Sequence, residues 1–263
     1  QNGVLPSEIA GVNPNFRMPQ VWKSSLAVDY QVPVGFPLTV TVEGIYTKNI
    51  NAVMLKNWSL KAPDANWTKF GGSDDRYIYP TTNNRYWSKN AYVLENTDKG
   101  WGAIENITVN ASPIKNLDIM AAYTHTASFE VTGMPGSNAA SAYGGVVSVN
   151  GPQFGELQSS QYVVPDKVIA SLSYKLPYLN NMMSTSINLF YTGSATAGYN
   201  FMYSNDMNGD GWITDLIYVP SGKGDIKFLT TADEDAFFAF VEQDKYLSKH
   251  KGEYVKANEV KAP

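Results

Sequence analysis

Apolar and polar residues alternate along two stretches near the start of the chain. Between Trp22 and Val32 the even positions are mostly apolar and the odd positions are polar or small, with Ser24 as the exception. The same alternation returns between Leu38 and Thr47. A period of two predicts β-strands with one apolar face and one polar face. Strands of this kind, about 9–11 residues long, are what a transmembrane β-barrel needs to cross the hydrocarbon core.

The connections between the alternating strands are short and long in turn. Three short ones have the Pro and Asn content of tight turns; they are residues 33–37, 112–116 and 177–181. Three long ones lie at residues 57–89, 129–163 and 194–215. In outer-membrane barrels the periplasmic turns are short and the extracellular loops are long. The sequence therefore predicts an all-β fold, a segment of an antiparallel up-and-down transmembrane β-barrel with long extracellular loops.

The alternation also assigns residues to the two faces of the predicted wall. The residues expected to face lipid are Leu26, Val28, Leu38, Val40, Val42, Leu172 and Ile187. The residues expected to face the lumen are Lys23, Asp29, Glu43, Lys175 and Asn188. One carboxylate, Glu105, falls on the apolar face. It lies roughly 25 Å along its strand from the turn at Pro113, so we expect it near the outer interface, where charge costs little.

Composition narrows the class of protein. The chain has 263 residues and a net charge of −4, which argues against a nucleic-acid partner. It has no cysteine, which excludes disulfides and a thiol nucleophile. Aromatic residues reach 13% and charged residues only 17%, which fits an aromatic-girdled barrel or a sugar-binding β-sandwich. No apolar run approaches the roughly 18 residues of a membrane helix.

The spacing of apolar residues changes from two to three and four near the C-terminal end of the chain. Residues 231–234 have the spacing of a helix capping box. Apolar residues then follow at three- and four-residue spacing, chiefly Phe237, Phe240, Val241 and Leu247. A short amphipathic helix is therefore predicted within residues 231–250, in the last loop region.

One Asp- and Asn-rich stretch matches the first half of a calcium-binding loop. Asp206, Asn208 and Asp210 place oxygen ligands at positions 1, 3 and 5, and a glycine follows at position 6. Ile217 stands where a bidentate acid normally closes such a loop, so Asp215 is the candidate substitute. These four polar residues are the predicted Ca²⁺ ligands, and a metal-free Asp/Asn/Gly turn is the alternative.

The first long loop is rich in aromatic residues. The candidates for ligand contact are Trp58, Trp67, Tyr77, Tyr79 and Trp87. Such side chains either stack on a ligand or pack the loop against its neighbours. Asp74 and Asp75, in the same loop, are expected to be solvated. The sequence has no GxSxG, HExxH or phosphate-binding motif, and nothing in it predicts an enzyme.

Seven segments, in order along the chain, resemble TonB-dependent outer-membrane receptors, most nearly the Oar-like type with a carboxypeptidase-regulatory-like domain. They are NFRMPQVWKSSLAVDY (15–30), VEGIYTK (42–48), INAV (50–53), LENTDKG (94–100), DMNGDG (206–211), DLIYVP (215–220) and EQDKYL (242–247). The resemblance covers most of the chain.

This resemblance implies the C-terminal part of a barrel of about 22 strands in the outer membrane of a Gram-negative bacterium. Residues 1–263 would supply about 8–10 strands. Both ends look cut, and the plug domain, the TonB-contacting segment and the terminal strand are expected outside this chain. The implied partners are outer-membrane lipid, the TonB complex and an imported siderophore, glycan or peptide. The alternative is a secreted or surface β-sandwich that binds glycans, with Ca²⁺ in the Asp-rich loop.

Overall fold

Long antiparallel strands dominate the computed structural model, which describes residues 3 and 6–261. The strands are β1 (Glu8–Val12), β2 (Gln20–Gln31), β3 (Leu38–Asn57), β4 (Thr68–Gly71), β5 (Asp74–Ile78), β6 (Asn90–Thr97), β7 (Trp101–Ile114), β8 (Leu117–Glu130), β9 (Gln158–Ser159), β10 (Asp166–Tyr178), β11 (Met183–Ser194), β12 (Tyr218–Val219) and β13 (Glu253–Tyr254). The helices are α1 (Ala139–Gly144) and α2 (Thr231–Gln243), with 3₁₀ turns at Pro152–Phe154 and Leu247–Lys249. Among the residues described, no helix is both long enough and apolar enough to cross a bilayer.

Six long strands pair side by side in the order β2, β3, β7, β8, β10, β11, and every pairing is antiparallel. Strand β6 continues the line of β7, because both pair with β3 in the same register, on either side of a short gap at residues 49–51 of β3. The predicted antiparallel, all-β character is confirmed. Over the described residues the sheet is open, with β2 and β11 as its long edges.

The turns and loops of this sheet lie at opposite ends. Short turns join β2 to β3, β7 to β8 and β10 to β11. Asn116 in the second turn has φ 67°, a left-handed conformation that Asn tolerates better than most residues. The long connections, residues 58–89, 131–165 and 195–261, all leave from the other end. The rhythm of short and long connections read from the sequence matches the strand order.

Direct cross-strand partners define the two faces of the sheet. One face carries the row Val28, Val42, Ile107, Tyr123 and Val168, each paired with the next across five strands. The other face carries the neighbouring row Asp29, Thr41, Thr108 and Ala122. The residues predicted for the two sides of the wall fall on these separate faces. Glu105 lies on the apolar face between Gly44 and His125, as expected.

The buried core lies in the long connections, which together form what we call the loop body (residues 58–89, 131–165 and 195–261). Its larger apolar cluster comprises Leu216, Ile217, Val219, Val241, Leu247, Val255, Ala257 and Val260. A second cluster packs Ala142 and Tyr143 against Leu55 and Tyr92 at the loop end of the sheet. By contrast, no side chain of β2, β7, β8, β10 or β11 is buried. The loop body covers one end of the sheet and leaves both faces of the long strands open.

The C-terminal helix differs from its prediction at both ends. Its N-cap is Thr230, whose side chain accepts the backbone N–H of Asp233, so the predicted capping box one residue later is wrong. The α-helix stops at Gln243. The Asp244 carboxylate then accepts the N–H groups of Tyr246 and Leu247 and starts a separate 3₁₀ turn. Within the predicted range 231–250, helix α2 and this turn replace one continuous helix.

Candidate functional site

The predicted calcium-binding stretch forms a tight turn in the loop body. Asp206 accepts the backbone N–H groups of Gly209 and Asp210 on Oδ1, at 2.7 and 3.1 Å, and that of Gly211 on Oδ2, at 2.8 Å. Asn208 Oδ1 accepts the N–H of Asp210 at 2.8 Å. Hydrogen bonds from the backbone therefore hold the Asp206 and Asn208 side chains in place without a bound ligand.

Asp215 closes this turn through hydrogen bonds. It is buried, and its Oδ1 accepts a hydrogen bond from Asn208 Nδ2 at 2.6 Å. Its Oδ2 accepts the N–H of Met207 at 2.8 Å. The carbonyl of Asn208 in turn accepts the N–H of Tyr79, from the first long loop, at 2.7 Å. The structure thus places all four predicted ligands in one turn and joins this turn to a neighbouring loop.

Two carboxyl groups of the turn, those of Asp210 and Asp215, have raised pKa values. The pKa of Asp210 is raised to about 7, chiefly by burial and also by the charges of Asp215 and Asp206, while the hydrogen bond from the Trp212 N–H opposes the shift. Burial also raises the pKa of Asp215 to about 6, with Arg76 opposing the shift. The physical cause is the poor solvation of a carboxylate inside protein. A cation in the turn would favour the ionised forms.

The donor set for a metal is small. Across residues 3 and 6–261, no three His, Cys, Asp or Glu side chains are grouped so that they could hold a metal ion. The turn offers three carboxylates and the Asn208 amide, and backbone N–H groups already occupy one or more oxygens of each acid. Oxygen donors of this type suit Ca²⁺ better than a transition metal. The calcium site stays a prediction.

A buried ion pair connects the first and the last long loop. Asp74 and Arg76 are both fully buried, and Arg76 Nε donates to both carboxylate oxygens at 3.0 Å. Arg76 Nη2 donates to the carbonyl of Leu216 at 2.9 Å. The expectation that Asp74 is solvated is therefore wrong, whereas Asp75 is exposed. Residues two apart on a strand share a face, and this spacing was the signal that could have revealed the pair.

Aromatic rings surround the same guanidinium group. Its Cζ lies 4.9 Å from the ring centre of Tyr203 and 5.5 Å from that of Tyr254. Nη1 has no hydrogen-bond partner among residues 3 and 6–261, and the cation–π contacts with these rings stabilise the guanidinium group. The Tyr254 hydroxyl donates to Asp74 at 2.9 Å, and burial together with the hydrogen bonds to Asp75 and Asp74 raises its pKa. The pair thus fixes residues from β5, β13 and the stretch before β12.

Three of the predicted ligand-contact residues pack against each other. Trp67 lies 4.4 Å from Tyr79 and 5.9 Å from Tyr77, measured between ring centres. Tyr77 stacks on Phe154 of the second long loop at 5.4 Å and 7°. The Tyr79 hydroxyl donates to the carbonyl of Asn150 at 3.0 Å, and burial raises its pKa. Through these contacts the aromatic rings pack the first long loop against the second.

The other two candidates lie outside that aromatic cluster. Trp58 is 48% exposed, and its indole N–H donates to Glu95 Oε1 at 2.5 Å. Trp87 is half-buried, and its carbonyl accepts a hydrogen bond from Ser59 Oγ. Of the five aromatic candidates, Trp58 presents the most accessible ring for a ligand.

Comparison of the chain with protein-family models, curated proteins and solved structures returned no match. The functional conclusion therefore depends on the geometry of the chain and on its residues.

Replacing Asp74 with Asn tests whether the buried pair holds the loops together. The variant leaves the buried Arg76 guanidinium without its counter-charge, and loss of one partner of such a pair typically costs about 3–5 kcal/mol. We expect a loss of this size in the free energy of unfolding, measured with urea. Asp75→Asn is the matched control, because this neighbour is exposed and should change stability by less than about 1 kcal/mol. Equal losses in the two variants would contradict this role.

The acidic turn predicts a pH dependence when divalent cations are chelated. The pKa values of Asp210 and Asp215 in the fold, about 7 and about 6, exceed the ordinary value of 3.8, so the folded state binds more protons between these limits. The stabilising contribution of these two groups should then be fully present below about pH 4 and be lost as the pH rises to about 7. We expect the urea midpoint to fall between pH 5 and pH 8, and Asp210→Asn to remove most of that fall.

Calcium should reverse the loss at pH 8, because a bound cation offsets the repulsion among the carboxylates. The check is a calorimetric Ca²⁺ titration. Asp206→Asn is the variant expected to bind Ca²⁺ more weakly, and Asp233→Asn, on the exposed surface of the helix, is the control. Absence of heat above dilution in the unmodified chain would eliminate the calcium site.

Proposed function

We propose that this chain forms part of the barrel wall and of the extracellular loops of a TonB-dependent outer-membrane receptor. Such a receptor imports a siderophore, glycan or peptide with energy passed from the TonB complex. The single observation that carries the proposal is an apolar sheet face on which none of residues 3 and 6–261 packs. The resemblance of the seven sequence segments supplies the family.

The apolar face is continuous across six strands and strongly exposed. Leu26 is 74% exposed on β2, and Leu189 is 62% exposed on β11, at opposite edges of the sheet. Between them the same face presents Val28, Tyr30, Val42, Ile107, Ile119, Tyr123 and Val168, all exposed. Contiguous apolar surface of this kind is rare on soluble monomers and marks an interface with protein or membrane. Lipid is the cover that a barrel wall provides.

The opposite face has the chemistry of a water-filled lumen. Thr41 Oγ1 donates to Asp29 Oδ1 at 2.6 Å, between β3 and β2. Ser173 Oγ donates to Asn188 Oδ1 at 2.7 Å, between β10 and β11. Cross-strand polar pairs of this type belong on a wet surface. One apolar face and one polar face together favour a barrel wall over a sheet buried in a protein core.

Strand length and aromatic placement agree with a membrane crossing. Strands β2, β7, β8, β10 and β11 have 12 to 14 residues, more than the roughly 9–11 needed for a tilted crossing. Near the loop end of the apolar face, ring contacts link four strands in the order Trp22, Tyr46, Trp101, Phe129, at 6.3, 6.4 and 4.8 Å. Aromatic girdles occupy this position at membrane interfaces.

The glycan-binding β-sandwich is the less favoured candidate. A sandwich packs a second sheet about 10 Å away on the apolar face and buries its side chains. The five long strands β2, β7, β8, β10 and β11 bury none. The larger core lies in the loop body, and the second joins the loop body to the loop ends of β3 and β6, which suits a folded extracellular cap above a wall.

A charge on the apolar face should oppose membrane insertion. Val40→Arg places a guanidinium on the apolar face near the turn end of β3, where a charge costs up to about 2–4 kcal/mol with increasing depth in the hydrocarbon region. Thr39→Arg is the matched control, because Thr39 neighbours Val40 but lies on the polar face between Gln31 and Asn110. We expect Val40→Arg to reduce the liposome-inserted fraction at least about tenfold, measured by flotation and protease protection.

The control variant should insert as well as the unmodified chain does. Equal insertion of the two variants would count against lipid at the apolar face. A monomeric chain that is soluble and folds cooperatively without detergent would overturn the proposed function.

A further inference from the structure

Strand β6 has an edge that the neighbouring wall strand does not reach. Strand β8 pairs with β7 as far as Phe129, opposite Trp101, and its chain leaves the ladder after Glu130. Strand β6 continues beyond this point along β3. Strand β8 therefore does not pair with the edge of β6 that faces away from β3. This edge lies at the end of the sheet where the loop body begins.

The N-terminal strand of the chain pairs with this edge in an unusual way. Strand β1 pairs with β6 in parallel, from Glu8↔Asn90 to Val12↔Leu94, whereas the long strands pair antiparallel. All five of its residues are exposed, including Ile9 at 50% and Val12 at 60%. Main-chain hydrogen bonds hold it with little side-chain burial, and parallel pairing is slightly weaker per residue. Strand β1 is therefore weakly attached.

A separate anchor limits the consequences of losing β1. Arg17 and Asn96 exchange two hydrogen bonds, from Arg17 N–H to Asn96 Oδ1 at 2.6 Å and from Asn96 Nδ2 to the Arg17 carbonyl at 2.9 Å. This clamp lies between β1 and the start of β2. Release of residues up to Val12 would leave the clamp and the long strands in place.

We propose that the outer edge of β6 is a docking site for an extended peptide, which exchanges with the chain's own β1. Recognition would use main-chain hydrogen bonds, so the site should tolerate many peptide sequences. Placing this site outside the membrane depends on the proposed function, since the β2 and β11 edges are then taken by neighbouring wall strands. Of the edges of the main sheet, the edge of β6 at the loop end is then the part that lies outside the membrane. The site would make peptides the ligand class of the receptor.

The test removes one hydrogen bond of β1 without altering β6. Asn13 N–H donates to the Leu94 carbonyl, so the alternation of a parallel ladder directs the Gly11 N–H to β6 and the Ala10 N–H away from it. Gly11→Pro deletes that donor, and a side chain at Gly11 meets no neighbouring atom within 4 Å. Ala10→Pro is the matched control.

The readout is fluorescence anisotropy of a labelled peptide that copies residues 7–13, added to the full chain refolded in detergent. We expect Gly11→Pro to bind it at least tenfold more tightly than Ala10→Pro and the unmodified chain. A chain lacking residues 1–12 should match Gly11→Pro, which covers a failure of the proline variant to fold. A peptide N-methylated at alternate amides should not bind.

Equal binding by the three full-length chains, or no binding by the truncated chain, would overturn the exchange. These measurements need no bilayer, so they fail independently of the proposed function. If Val40→Arg and Thr39→Arg insert equally while the peptide still exchanges, the barrel wall is wrong and the docking edge remains.

Discussion

An apolar sheet face that none of the described residues covers is the constraint on which the structure depends. Fully burying one Val, Leu or Ile side chain is worth about 1.5–3 kcal/mol, so a face with many such residues strongly favours an environment that covers it. Covering it with lipid allows the strands to be long, the turns at one end to be short, and the other face to carry hydroxyl and carboxylate groups. An aqueous protein with the same strands would expose Leu26, Val28 and Leu189 to water.

Strands and loop body are stabilised by different interactions. The long strands are stabilised by main-chain hydrogen bonds and by whatever covers their apolar face, because their side chains bury little surface against one another. The loop body has its own apolar clusters, a buried ion pair and an acidic turn, which tie the three long loops to one another. This division suits the proposed receptor, because loops that bind a ligand need a defined shape that does not depend on lipid.

Much of the sheet could be predicted from the sequence because the patterns that specify it involve residues close together in the chain. A period of two assigned Val40 and Thr41 to opposite faces, and Pro- and Asn-rich turns marked the hairpins. The loop body was less predictable, because its contacts join distant residues: Arg76 donates to the carbonyl of Leu216, 140 positions away. Helix α2 illustrates a local error, since Thr230 and Thr231 are both plausible N-caps and only the backbone geometry selects Thr230. The Asp206 turn was found because its spacing is local, whereas the packing of Trp67 and Tyr77 on Phe154 was not visible in any pattern.

The most direct test of the central claim is a cysteine scan along β3. The chain has no native cysteine, so single cysteines at positions 39 to 46 can each carry a polarity-sensitive fluorophore in chain reconstituted into liposomes. Lipid contact on one face predicts blue-shifted emission, quenched by nitroxide-labelled acyl chains, at positions 40, 42 and 46, and red-shifted, unquenched emission at positions 39, 41 and 43. Emission and quenching without this period of two would contradict the claim that lipid covers the apolar face.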